Sequence, residues 1–106
     1  MIKVFRDHTL TDEEVVALEH VVATAKRKHY FALFVANLYD SNFLCDMHQC
    51  MNYLRGERDD RLKNGLYLML KFSSQGIECH EYLGSEIVQE LIDDWDIRRK
   101  TATTWL

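Results

Sequence analysis

The stretch Leu66-Tyr67-Leu68-Met69-Leu70-Lys71-Phe72-Ser73-Ser74-Gln75-Gly76-Ile77-Glu78-Cys79-His80-Glu81-Tyr82 decides between two folds. Read as a helix, Leu66, Met69, Leu70 and Phe72 continue a stripe begun at Leu62, behind a cap at Asp59 or Asp60. The run 66–70 is then apolar nearly all round, which places it at the centre of a core. Gly76 falls at C′ and Ile77 at C″, so that Ile77 can touch Phe72 in the Schellman pattern. Read as a hairpin, Leu66, Leu68, Leu70 and Phe72 alternate and 77–82 returns as a second strand. Gly65 counts against the helix by about 1 kcal/mol relative to Ala. Composition counts for it: between Ala36 and Gly76 there is no Val, Ile or Thr, the β-branched residues that strands favour.

The same argument carries outward. His29 to Tyr39 is a continuous apolar run with Val35 as its one β-branched residue, and it reads as a buried helix, either separate from the one before it or continuous with it. That earlier helix has a strong start. Thr11 is its N-cap and Glu14 completes a capping box, while Leu10 and Val15 are placed for a hydrophobic staple. Val15, Leu18, Val21, Val22 and Ala25 follow at helical spacing, and Lys26-Arg27-Lys28 suits the negative helix end. Ser41 to Gly56 reads as a third helix, capped by Ser41. Phe43, Leu44, Met47, Cys50, Met51 and Leu54 share its apolar face, and Gly56 is its left-handed stop. Ser85 caps a last helix that buries Ile87, Val88, Leu91, Ile92 and Trp95 and closes on Arg98-Arg99-Lys100. Met1 to Phe5 alternates as a short strand or extended arm. The predicted fold is mostly α: one compact domain over 1–106, a bundle of four to five helices with a short N-terminal strand. An α+β fold with a hairpin at 66–82 is the alternative.

Composition bounds the class. A chain of 106 residues, 47% hydrophobic and 28% charged, supports one hydrophobic core without staples. Its charged start is unlike a signal peptide, and no apolar run approaches the about 20 residues that span a bilayer. A cytoplasmic protein without membrane contact is the expectation. Three cysteines do not make a disulfide framework; in a reducing compartment they serve as small hydrophobes.

Few chemistries survive inspection. Cys45, His48, Cys79 and His80 are residue types that zinc accepts. On a helix, however, Cys50 lies about 140° from Cys45, so one helix cannot aim Cys45, His48 and Cys50 at one ion. His80-Glu81-x-x-Gly84 lacks the second His of a zinc-protease motif. No nucleophile elbow, phosphate-cradling loop or dinucleotide fingerprint occurs. Neither a cofactor nor an enzymatic activity is expected. Lys26, Arg27, Lys28 and Tyr30 form a basic cluster with an aromatic, the foothold for an alternative reading as a small DNA-associated regulator. The net charge of −4 and the ordinary presence of cations at a helix C-terminus weigh against it.

Charge segregation is the remaining signal. Phe72 to Ile97 contains no Lys or Arg, while Glu78, Glu81, Glu86, Glu90, Asp93, Asp94 and Asp96 accumulate. An acidic face of this kind docks on basic surfaces, where complementary fields raise the association rate. Glu86, Glu90, Asp93, Asp94 and Asp96 are the candidate contacts, with Trp105 as an aromatic anchor. The expected partner is a protein with a basic surface, such as a nucleic-acid-handling enzyme. An exposed face of Tyr30 to Tyr39 would equally serve a homodimer. In type, a short acidic helical chain without cofactor is similar to bacteriocin immunity proteins, antitoxins and phage-encoded inhibitors of restriction or CRISPR machinery. That likeness is one of style and rests on no shared motif.

Overall fold

The computed structural model describes residues 1–99. Its elements run β1 (Val4–Phe5), β2 (His8–Thr9), α1 (Asp12–Arg27), α2 (His29–Tyr39), α3 (Met47–Arg55), α4 (Arg61–Ser74), α5 (Cys79–Leu83) and α6 (Ser85–Asp94). The fold is mostly helical, with a short antiparallel pair, β1 against β2, ahead of six helices among the described residues. α1 packs against α4 and α2; α2 in turn meets α3, α5 and α6.

Gly65 sets the closest of these contacts. A Cβ at that position would lie 2.5 Å from the Ala17 carbonyl oxygen and 2.6 Å from Val21 Cγ2. The missing side chain therefore lets the backbones of α1 and α4 approach. Leu18, Val21, Leu62, Leu66 and Met69 close over the crossing, each almost fully buried. The propensity cost of a mid-helix glycine is offset by this packing.

α1 begins as its sequence dictates. Thr11 Oγ1 accepts from the Glu14 amide at 3.1 Å, and Glu14 Oε1 accepts from the Thr11 amide at 2.9 Å. α1 and α2 are not one continuous helix. Lys28 is extended (φ −126°, ψ 112°) and separates them. At about 1.5 Å per residue, an unbroken rod would carry the apolar run away from the core. The break instead folds α2 back so that Phe31, Ala32, Phe34, Val35 and Ala36 are buried.

The third helix starts later than Ser41. Residues 40–46 are held out of helix by side chains that capture their backbone: Asn37 Nδ2 donates to the Phe43 carbonyl at 2.7 Å, and Asp40 Oδ1 accepts from the Asn42 amide at 2.9 Å. Asp46 is the cap, accepting from the Gln49 amide at 3.1 Å. The six-residue apolar face is correspondingly reduced. Phe43 and Cys50 are buried, whereas Leu44 and Met47 remain 38% and 39% exposed. Gly56 ends α3 at φ −89°, not in the left-handed region.

The hairpin alternative at 66–82 is overturned, because α4 is helical to Ser74 and α5 occupies the proposed return strand. Asp60 holds the cap position of α4 without a side-chain bond, while Asp59 accepts from the Arg61 amide at 2.9 Å. α4 is buried on one face only; Tyr67 is 59% exposed, so the run is not a central rod. The helix ends as the sequence predicts: Gly76 takes φ 77°, its amide reaches Ser73 O at 3.1 Å, and Ile77 N reaches Phe72 O at 2.9 Å. Gly84 (φ 92°) precedes α6, so Ser85 is the first helical residue and not the cap. α6 stops at Asp94, short of Arg98-Arg99-Lys100. Its closure repeats that of α4, with Asp96 N on Asp93 O at 3.2 Å and Ile97 N on Ile92 O at 2.9 Å. Here Asp96 takes the left-handed position (φ 49°) that glycine usually fills.

The N-terminal pair turns through Arg6, itself at φ 51°. Arg6 spans to α5, bonding both Glu81 carboxylate oxygens (2.8 and 2.9 Å) and the Gly76 carbonyl (3.1 Å). Ile2 N adds a bond to Tyr82 O at 2.8 Å. Phe5 then packs against Phe72 and Tyr82.

Two stability measurements follow from these contacts. Gly65→Ala should gain helix propensity yet lose about 1–3 kcal/mol through overpacking, lowering Tm in calorimetry; an unchanged or raised Tm would show that the crossing tolerates a methyl group. Asp96→Gly should raise stability by about 0.5–1 kcal/mol, since a β-carbon in the left-handed region is strained; chemical denaturation would detect the gain.

Candidate interaction surface

Seven carboxylates between Phe72 and Ile97 suggested one acidic face; the structure divides them by use. Glu81 is consumed internally. The Arg6 guanidinium, together with the Glu78 amide, holds its carboxyl below the usual range. Glu78 caps α5 reciprocally with Glu81 and stands 3.4 Å from His80 Nδ1. Asp96 pairs with Arg98 at 3.0 Å, and Asp93 accepts from Gln89 Nε2 at 2.9 Å. Glu86, Glu90 and Asp94 are exposed and make no ion pair among the described residues.

Helical geometry gathers the acids of α6. Glu86, Glu90, Asp93 and Asp94 fall within an arc of about 100° on α6, roughly opposite the buried Val88 and Leu91. Trp95 stays on the core side. Its indole N–H donates to the Ala25 carbonyl at 2.9 Å and its ring stacks on His29 with centroids 5.1 Å apart. Trp105 lies outside the described residues.

The zinc-type residues are not brought together. His48 is exposed on the first turn of α3. Cys79 is buried, its thiol directed to the Val35 carbonyl at 3.6 Å, and burial pushes its pKa up to about 12. His80 packs edge-on against Tyr39. Among the described residues no three His, Cys, Asp or Glu side chains converge as metal ligands. The angle between Cys45 and Cys50 expected for one helix does not apply, because Cys45 precedes α3. Its thiol interacts with that of Cys50, an interaction that lowers the Cys45 pKa and, with burial, raises that of Cys50. The Tyr82 hydroxyl, fully buried and without a hydrogen-bond partner among the described residues, is likewise raised by burial.

The basic cluster is split by the helix break. Lys26 and Arg27 are exposed at the end of α1. Lys28 forms the break and lies 5.9 Å from the Tyr53 ring centroid, and Tyr30 packs against Phe31 and Tyr53. Two exposed cations thus precede the break at Lys28 and a half-buried tyrosine follows it.

Sequence reading missed a groove beside the α1–α4 crossing, about 530 Å³ in volume. Val16, Ala17 and Leu68 supply its apolar lining, Asp12, Glu13 and Glu14 its acidic end, and Arg61 and Asn64 its other wall. The available signal was Val16, an aliphatic residue beside the buried stripe rather than in it. No helix of the described residues is long and apolar enough to cross a membrane. Comparison with protein-family models, curated protein sequences and solved structures gives no significant match to this chain.

Pairing with Arg6 lowers the folded-state pKa of Glu81 below its ordinary 4.5. Its stabilisation is therefore complete above that value and is lost as pH falls through the folded pKa. Arg6→Gln should melt below the wild type at neutral pH, and the gap should narrow as pH falls below 4.5. A gap independent of pH in thermal scans would show that the pair contributes nothing through ionisation.

Proposed function

We propose that this chain is a small acidic binding module that occludes a protein partner in a stoichiometric complex, with the outer face of α6 in the interface. The observation that carries the reading is the arc of exposed carboxylates at Glu86, Glu90, Asp93 and Asp94. Internal folding accounts for Glu78 and Glu81, and burial of Val88 and Leu91 turns this arc outward, but no cation among the described residues pairs with Glu86, Glu90 or Asp94. Unpaired carboxylates on a rigid helix create a negative field that steers a basic surface into place, and screening by salt weakens it. The role is binding rather than catalysis. A protein that handles nucleic acid presents a basic surface of the right kind, so that the module would act in the cytoplasm as a competitor for that surface. Immunity proteins, antitoxins and phage-encoded anti-restriction or anti-CRISPR inhibitors are proteins of this type.

The test begins with affinity capture of the partner from the native host and its identification by mass spectrometry. The combined variant Glu86→Lys, Glu90→Lys, Asp93→Lys, with circular dichroism confirming the helical fold, should then bind that partner at least about tenfold more weakly. Wild-type affinity should fall as salt rises. Affinity that survives the reversal places the interface elsewhere.

A further inference from the structure

Beside the close approach of α1 and α4 at Gly65, a groove lined by residues of both helices is left open. The groove there has a volume of about 530 Å³, within the range of about 300–1,000 Å³ typical of ligand-holding clefts. Its apolar lining comes from both helices: Val16, 44% exposed, and the buried Ala17 from α1, and the half-buried Leu68 from α4. A single exposed valine is ordinary. An aliphatic patch shared by two helices around a hollow is the form in which an amphipathic helix is received.

The charge around the hollow selects the occupant. Asp12, Glu13 and Glu14 stand at one end, and Arg61 is the one cation among the described residues that line the groove. Arg61 is already engaged, donating through Nε to Asp59 at 2.6 Å. Asp12 meets Lys3 at 3.2 Å and Glu14 serves the Thr11 cap, while Glu13 makes no ion pair or side-chain hydrogen bond among the described residues. Acids in a first turn also favour the helix dipole, which accounts for their presence. Beside an apolar hollow they additionally favour a cation and repel an acid.

We infer that the groove between α1 and α4 is a docking site for a cationic amphipathic helix of a protein partner. An aliphatic side chain of that helix seats on Val16, Ala17 and Leu68, and a flanking Lys or Arg meets Glu13. The inference rests on the reading of the chain as a protein-binding module but not on α6 being the interface, so the two surfaces can fail separately.

The probe is a short synthetic helix carrying Leu on one face and Lys on the other, titrated into the full ¹⁵N-labelled chain and followed by amide chemical shifts. A matched peptide with Glu in place of Lys is the control. The Lys peptide should shift amides over 12–17 and 61–68, and the Glu peptide should not. Val16→Lys and Glu13→Lys, both at exposed positions, should each weaken binding about tenfold, whereas reversal of Glu86, Glu90 and Asp93 should leave it unchanged. Shifts confined to α6, equal binding of both peptides, no binding at all, or self-association of the chain through the groove would each overturn the inference. Shifts confined to α6 and abolished by its reversal would do so while leaving the acidic-face reading intact.

Discussion

The absence of one β-carbon holds the fold together. At Gly65 the α1 and α4 backbones come so near that a methyl group would meet both the Ala17 carbonyl and the Val21 side chain. Close approach is accompanied by burial of side chains from both helices, Leu18 and Val21 of α1 and Leu62, Leu66 and Met69 of α4. Dispersion falls off steeply with separation, so even a gap of about 0.5–1 Å forfeits a quarter to a half of each contact. The glycine is weak as a helix former and necessary as a packing element. Its two properties come from the same missing atom.

Once that crossing is fixed, the rest of the chain has to be folded back onto it. The break at Lys28 returns α2 across α1, and the Asn37 and Asp40 side chains bend the chain again before α3. Arg6 latches the N-terminal pair to α5 through both Glu81 oxygens and the Gly76 carbonyl. The latch is exposed, and its charge energy in water is modest. Its three bonds nevertheless fix where Phe5 enters the core beside Phe72 and Tyr82.

Legibility in the sequence followed the range of each interaction. The Thr11–Glu14 box and the Gly76 closure span a few residues and need no tertiary partner, so spacing alone predicts them. The α-rich class is equally local, because β-branched residues are missing over a long stretch. Ser41 misled because Asn37, a residue of the preceding helix, takes the Phe43 carbonyl and holds the segment in a turn. Whether α1 runs on into α2 stayed open in the sequence because the break has no glycine or proline to mark it; only the core's need to bury Phe31 and Val35 explains it. Gly65 was visible as a cost, but its cause sits almost fifty residues away at Ala17. Cys45 and Cys50 were separated on paper by a helical angle that does not hold outside a helix.

The acidic residues show the same divide between composition and use. In sequence, Glu78 through Asp96 is one negative block, and nothing in its composition separates the acids that build the fold from those that face outward. Structure separates them by partner: a carboxylate that caps a helix or binds Arg6 has its field cancelled at short range, and an unpaired one on α6 projects into solvent. The free charge is thus smaller than the block suggests but better ordered, a single arc on one helix. The acids at the start of α1 invert this pattern, because local sequence explains them fully as a capping turn. Only the packing of α4 against α1, which brings Leu68 into the same groove as Val16, puts an apolar hollow beside them. A surface assembled from two helices so far apart in sequence leaves no periodic trace in either, which is why the groove emerges from packing and the α6 face from spacing.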